Sequence, residues 1–238
     1  MNWSLLFSSS IGKKIVMALT GIFLVVFLVV HCYVNANIFF ANAEENFNRA
    51  AHFMGTNLLI RITEIGLFAG FIVHIVQGYK LALKNKASRK SRYAVTAGSK
   101  NSKWYSRSAA ILGTLILLFL IIHLAHFWVP SRFTGLPEVK YGNDATIYHN
   151  LYLEMKNIFA DPLIVIVYIS GCISLSWHLL HGIQSAAQTL GWTNKNFFPV
   201  IKNIGIVFSI LIPLIFALMP LALYFGLQLD LENITLLF

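Results

Sequence analysis

Eight histidines occur in this chain of 238 residues, and six of them, His31, His74, His123, His126, His178 and His181, fall inside long apolar runs. An imidazole costs free energy in a hydrocarbon interior and marks ion paths, proton relays or ligand sites there. One such histidine often does no more than bond a neighbouring helix, but six spread over four runs ask for a chemical role. His52 and His149 belong to the polar segments between runs.

The elements that must position these side chains are legible from composition. Hydrophobic residues make up 57% of the chain and charged residues only 11%, with a mean hydropathy of +0.69, outside the range of a soluble domain. A membrane crossing needs roughly 20 mainly apolar residues, and five stretches qualify, at 15–40, 58–84, 106–129, 162–188 and 203–226. Lipid offers the backbone no hydrogen bonds and no barrel-like alternation is visible, so these runs are expected to be helices. The fold class expected is an all-α membrane protein, one domain over 1–238, with five transmembrane helices in a bundle. Pro213 and Pro220 are expected to kink the fifth span, and the loop at 130–160 to carry a short surface helix. The first span is too long for a signal-peptide core despite the cleavage-like Ala41-Asn42-Ala43, so it is expected to be retained.

Bases cluster before the first span (Lys13, Lys14), between the second and third (84–107) and between the fourth and fifth (Lys195, Lys202), whereas the other loops carry Glu44, Glu45, Glu138, Asp144, Glu154 and Asp161. The positive-inside rule then puts the N-terminus inside and the C-terminus outside. The net charge of +9 is accounted for by topology, and no nucleic-acid or phosphate-loop motif accompanies it. The basic loop suits anionic lipid or an acidic partner. Cys32 and Cys172 lie at different depths and are expected to be packing residues.

Depth sorts the histidines. His31 and His123 each lie about 16 to 17 residues from the inner ends of their spans, while His74 and His178 lie about 16 from the outer ends of spans running the other way; at 1.5 Å per residue each pair shares a level. The levels differ by roughly 10 to 15 Å, so two stacked bis-histidine sites are expected, His31 with His123 outside and His74 with His178 inside. Small residues stand one turn from these positions, Gly70 and Gly78 about His74, Ser174 and Gly182 about His178. They leave room for a flat macrocycle, or else form a seam for helix packing. Gly21 precedes His31 by ten residues and Gly113 precedes His123 by ten, so the first and third spans repeat one design. His178 is preferred to His181, which has Trp177 behind it, and His123 to His126, which lies near Pro130 at the span end. No thiolate or carboxylate completes a zinc site; two imidazoles suit a low-spin haem iron. Without Cys-x-x-Cys-His the haem is expected to be b-type and noncovalent.

A quinone would need proton donors or acceptors beside an apolar slot. His52, Arg61 and Glu64, with Asn57, form the ionisable cluster at the outer end of the second span. The alternative is an Arg61–Glu64 ion pair at i,i+3 that only anchors the helix end.

The segments Phe27-Leu28-Val29-Val30-His31, Glu45-x-Phe47-Asn48-x-Ala50-Ala51-His52-Phe53-Met54, His74-x-x-x-Gly78-Tyr79, His123 and His178-x-x-x-Gly182 with Gly191 resemble the two-haem cytochrome b membrane-anchor subunits (b558 type) of succinate dehydrogenase and fumarate reductase. The resemblance runs from the first span through Trp192 and is weaker in the fifth. It implies that His31, His74, His123 and His178 ligate two haem b groups, that this chain has no succinate active site or catalytic residue of its own, and that a flavoprotein and an iron-sulfur subunit dock on its inner face. It further implies a quinone, by family menaquinone, after the outer haem, a bacterial inner (cytoplasmic) membrane location, and a complex compatible with further oligomerisation. Two departures bear on proton coupling. An acid two residues before the fourth ligand in some fumarate reductases is Ser176 here, and an outer-loop acid after His-Phe-Met is Gly55. Two other readings fit the same residues: a cytochrome b subunit of formate dehydrogenase, hydrogenase or nitrate reductase, and a haem-free transporter with a histidine proton relay.

Overall fold

The computed structural model of the protein describes residues 9–87, 104 and 108–227. Its helices are α1 (Ser10–Asn35), continued by a 3-10 turn at Ala36–Phe39, α2 (Ala43–Thr56), α3 (Leu58–Ala87), α4 (Ala109–His123), α5 (Leu151–Phe159), α6 (Pro162–Thr189) and α7 (Phe198–Phe225). After α4 the chain continues through two π-helical turns, Leu124–Trp128 and Pro130–Thr134. Five of these helical stretches are long and apolar enough to cross a membrane: Ser10–Phe39, Leu58–Asn85, Ala109–Thr134, Pro162–Thr189 and Phe198–Phe225. The protein is an all-α, multi-pass membrane protein. Large apolar side chains such as Leu115, Ile121, Ile166 and Val207 point outward, the arrangement expected where lipid is the solvent.

The helix ends follow local chemistry. Ser9 accepts from the Gly12 amide at 2.9 Å, Asn57 from the Leu59 amide at 3.0 Å, Asn150 from Leu153 at 3.0 Å and Asp161 from Leu163 at 2.8 Å, each relieving an orphan donor of a first turn. At the other ends, α6 and α7 close on Gly191 (φ 79°) and Gly226 (φ 66°), where only glycine takes the left-handed conformation without penalty. Helix α7 runs through both Pro213 and Pro220. Pro130 lacks the amide that would extend α4 regularly, and the chain widens into π turns around it, a feature that often accompanies functional sites.

The polar segment before α3 forms α2, which the composition of 43–56 had not announced. The segment 130–160 holds the expected short helix, α5, together with a two-residue antiparallel ribbon pairing β1 (Glu138–Val139) with β2 (Tyr148–His149). The basic stretch from Arg89 to Lys103 and the acids Asp230 and Glu232 lie outside the described residues. Cys32 and Cys172 are both free and buried.

Contacts group the described residues into two compact units, one drawn from the stretches Met1–Phe27, Ile65–Ile116 and Ser174–Leu211, the other from Leu28–Glu64, Leu117–Ile173 and Ile212–Phe238. The second unit has a core of Ile38, Phe47, Tyr152, Met155, Phe159 and Tyr168. Over it lies a polar knot. Asn48, fully buried, donates to Tyr141 Oη at 2.8 Å and Asn150 Oδ1 at 2.9 Å and accepts from the Tyr152 amide at 3.0 Å. Beside it Arg49 bridges Glu45 at 2.9 Å and Asp144 at 2.6 Å.

Candidate functional site

Each unit contains one pair of facing histidines. In the unit that includes 28–64, the rings of His31 (α1) and His123 (the last residue of α4) have centroids 5.7 Å apart and planes crossed at 83°. In the other, His74 (α3) and His178 (α6) stand 6.3 Å apart at 70°. These are the two pairings expected from depth. Metal–imidazole bonds are about 2 Å long, so two rings on opposite sides of one ion have centroids about 6 Å apart, and both pairs meet that spacing.

The surroundings fit a flat cofactor better than a bare ion. His31 and His123 are walled by aromatic rings, Phe216 at 5.5 Å from His31 and Phe119 and Phe127 at 5.7 and 5.3 Å from His123, so the pair lies in apolar surroundings. Among the described residues no group of three or more His, Cys, Asp or Glu is placed to hold a metal, so each pair falls short of the four ligands of a structural zinc. Where α1 and α4 pass the His74–His178 pair they carry glycine. A Cβ on Gly21 would lie 3.5 Å from His74 Cε1, and one on Gly113 would lie 3.6 Å from His178 Cε1. The ten-residue Gly-to-His repeat now has a physical meaning: α1 and α4 supply both histidines of one pair and a glycine beside each histidine of the other. The repeat was the signal, but it had not marked Gly21 and Gly113 as site residues.

The other small residues have more varied surroundings. A Cβ on Gly70 would meet the Phe23 ring at 3.1 Å and one on Gly78 would meet Met17 Cε at 3.4 Å, whereas Gly182 faces open space and Ser174 is buried. Gly70 and Gly78 thus lie at close helix contacts with α1. Gly171 belongs with the His31–His123 pair, because the Phe119 ring comes to 2.6 Å of a Cβ placed there, and that ring lies 5.7 Å from His123 with planes tilted by 31°. Gln77, one turn after His74, is buried, and its Oε1 has no hydrogen-bond partner among the described residues. His126 is tied elsewhere, its Nδ1 3.0 Å from Tyr168 Oη.

Around Glu64 the structure assembles more than the sequence implied. Its carboxylate accepts from Arg61 Nη1 at 2.5 Å, the expected i,i+3 pair, and also from Trp128 Nε1 at 2.6 Å and Arg132 Nη2 at 3.2 Å. Trp128 and Arg132 both ride on the π-helical turns, so their approach depends on the widened segment around Pro130. Gly55 lies against the same guanidinium, a Cβ there falling 3.4 Å from Arg132 Nη1. His52 stands instead against Tyr148, with ring centroids 5.0 Å apart.

A scan of protein-family models finds none that matches. No solved structure matches either. The chain is 29% identical over 171 residues, 71% of its own length and 73% of the relative's, to the succinate dehydrogenase cytochrome b558 subunit of Bacillus subtilis (strain 168). The similarity is thus to a succinate dehydrogenase cytochrome b subunit. That relationship agrees with the resemblance read from the histidine segments and with the five apolar helices.

Proposed function

We propose that this chain is the dihaem membrane-anchor subunit of a succinate:quinone oxidoreductase of the bacterial cytoplasmic membrane, passing electrons between an iron-sulfur subunit and membrane quinone. The observation that carries the reading is that four deep histidines from four helices meet in two pairs, one per unit, at 5.7 and 6.3 Å. His31 and His123 would hold one b-type haem and His74 and His178 the other, each iron supplying reversible one-electron chemistry. The protein's own contribution is to keep the imidazoles neutral and oriented in apolar walls, to exclude water, and to leave Gly21 and Gly113 without side chains beside the second pair. A flavoprotein and an iron-sulfur subunit would dock on the basic side, in keeping with the kind of complex the relative's name denotes.

The quinone is assigned to the neighbourhood of Glu64, and menaquinone is the family expectation. Glu64, Arg61, Arg132 and Trp128 gather a carboxylate, two guanidiniums and an indole N–H at one helix end, groups able to orient a quinone oxygen and exchange a proton with it. Here Glu64 meets the guanidinium that also faces Gly55, the position at which some relatives carry an acid. His52, whose ring faces Tyr148, is proposed as a further quinone-site residue on the family resemblance. The deciding experiment is a reduced-minus-oxidised spectrum with pyridine haemochrome on the purified protein: two haem b per chain is the expected result, and a chain without haem overturns the reading. Copurification with a covalent-flavin subunit separates the succinate complex from formate, hydrogenase or nitrate reductase assemblies.

A further inference from the structure

Of the paired histidines, His74 has a hydroxyl partner from another helix, Thr20 on α1. Its Oγ1 is 3.1 Å from His74 Nδ1 and also 2.8 Å from the Val16 carbonyl and 3.1 Å from the Met17 carbonyl. A threonine hydroxyl has one proton. Carbonyl oxygens only accept, so the back-bond to the preceding turn takes that proton, as helical threonines commonly do. Toward His74 the hydroxyl then has only lone pairs to offer, and His74 Nδ1 must carry the hydrogen.

The tautomer is thereby set. With Nδ1–H donated to Thr20, the lone pair of the neutral ring is on Nε2, the nitrogen left to face a metal. The next residue, Gly21, carries no side chain on the side of α1 where His74 Cε1 lies, 3.5 Å from where a Cβ would stand, so the hydroxyl of Thr20 is the group by which this turn of α1 orients the imidazole.

We infer that Thr20 is a positioning residue for the His74–His178 centre, fixing the His74 tautomer through an Nδ1–H to Oγ1 hydrogen bond and raising the basicity of that ligand. This rests on the haem reading above. Outer partners of metal-bound histidines act in this way, and removing one typically weakens the site about 10- to 100-fold. A more basic imidazole favours ferric over ferrous iron, so losing the bond raises the midpoint potential of that haem.

The test compares wild type, T20V and T20S in the purified full-length protein, with haem counted first by pyridine haemochrome. Valine keeps the shape and β-branching of threonine without the hydroxyl, and serine restores the hydroxyl. The expected result is an upward shift of one of two midpoints in T20V, roughly tenfold in the oxidised-to-reduced ratio or about 59 mV for one electron, with an altered low-spin EPR signal for that haem alone and a return to wild type in T20S. Loss of a single haem in T20V, recovered in T20S, carries the same meaning. Wild-type midpoints and EPR signals in T20V overturn the inference, as does equal disturbance of both haems in T20V and T20S, which would make the role one of packing. A wild-type protein without haem fails the earlier reading instead, and the first measurement separates the two.

Discussion

At the scale of single residues, the choice between neighbouring histidines is the sharpest issue. His123 and His126 are one turn apart, as are His178 and His181, yet the ring of His123 meets His31 and that of His178 meets His74. His126 bonds Tyr168 and stacks on it with planes 6° apart. Replacing His123 or His178 by alanine should therefore each remove one haem, because an iron that loses one of two axial ligands loses much of its anchorage. Replacing His126 or His181 should retain both. Pyridine haemochrome counts of the four variants decide it, and loss of a haem in His181→Ala with retention in His178→Ala would reverse the assignment. Glu64→Gln keeps an acceptor for Trp128 while removing the charge; slower quinone reduction with a changed pH profile is expected, and unchanged kinetics would leave the cluster as a helix anchor.

At the scale of elements, α1 serves both centres, with His31 in one pair and Gly21 beside the other. The two variants should therefore have complementary effects from one helix. Gly21→Val places methyl groups against His74 and should remove the haem of the His74–His178 pair, while His31→Ala should remove the other; potentiometric titration tells which midpoint survives in each. The knot between α2 and α5 is a stability element. Asn48→Ala leaves Asn150 Oδ1 and the Tyr152 amide short of partners, and a buried group left unsatisfied costs about 1–3 kcal/mol, so thermal unfolding in detergent should occur well below wild type. Asp144 gives this region a pH dependence. The hydrogen bond from Tyr148, then those from Thr146, then that from Arg49 hold its carboxyl well below the usual carboxylate range. A depressed folded-state pKa stabilises above the unfolded value of about 3.9 and is lost as pH falls through the folded one. Protection of the β1–β2 ribbon amides, taken as exchange relative to the intrinsic rate at each pH, should be flat from pH 7 to about 5, then fall on further acidification, and Asp144→Asn should remove that fall.

At the scale of the whole molecule, the charge asymmetry and the two histidine pairs would, on the proposed function, give the complex a direction. With the basic side facing the iron-sulfur subunit, the His74–His178 centre is the proposed entry point and the His31–His123 centre the one nearer quinone. In the assembled complex, His31→Ala should leave one haem reducible by succinate. His74→Ala should leave the remaining haem reducible by dithionite but not by succinate. The opposite pattern would invert the topology drawn from the positive-inside rule.

The number and approximate limits of the apolar helices, the sign of the loops and the pairing of the four histidines followed from the sequence, because lipid forces long helices and a fixed rise per residue converts spacing into depth. What the four-residue ladder around His74 would face did not follow, since rotation of a helix about its axis is set by its neighbours; Gly70 and Gly78 turned out to meet Phe23 and Met17. The Gly-to-His repeat was visible, but only the packing of α1 and α4 beside α3 and α6 revealed that the glycines serve the opposite pair. Trp128 and Arg132 reach Glu64 through π-helical turns at Pro130, a local widening that apolar periodicity does not encode. Thr20 is one hydroxyl among many in the sequence. It became the partner of His74 only because two helices pack closely enough to bring residues 54 positions apart within 3.1 Å, and side-chain hydrogen bonds of that kind are decided by tertiary structure alone.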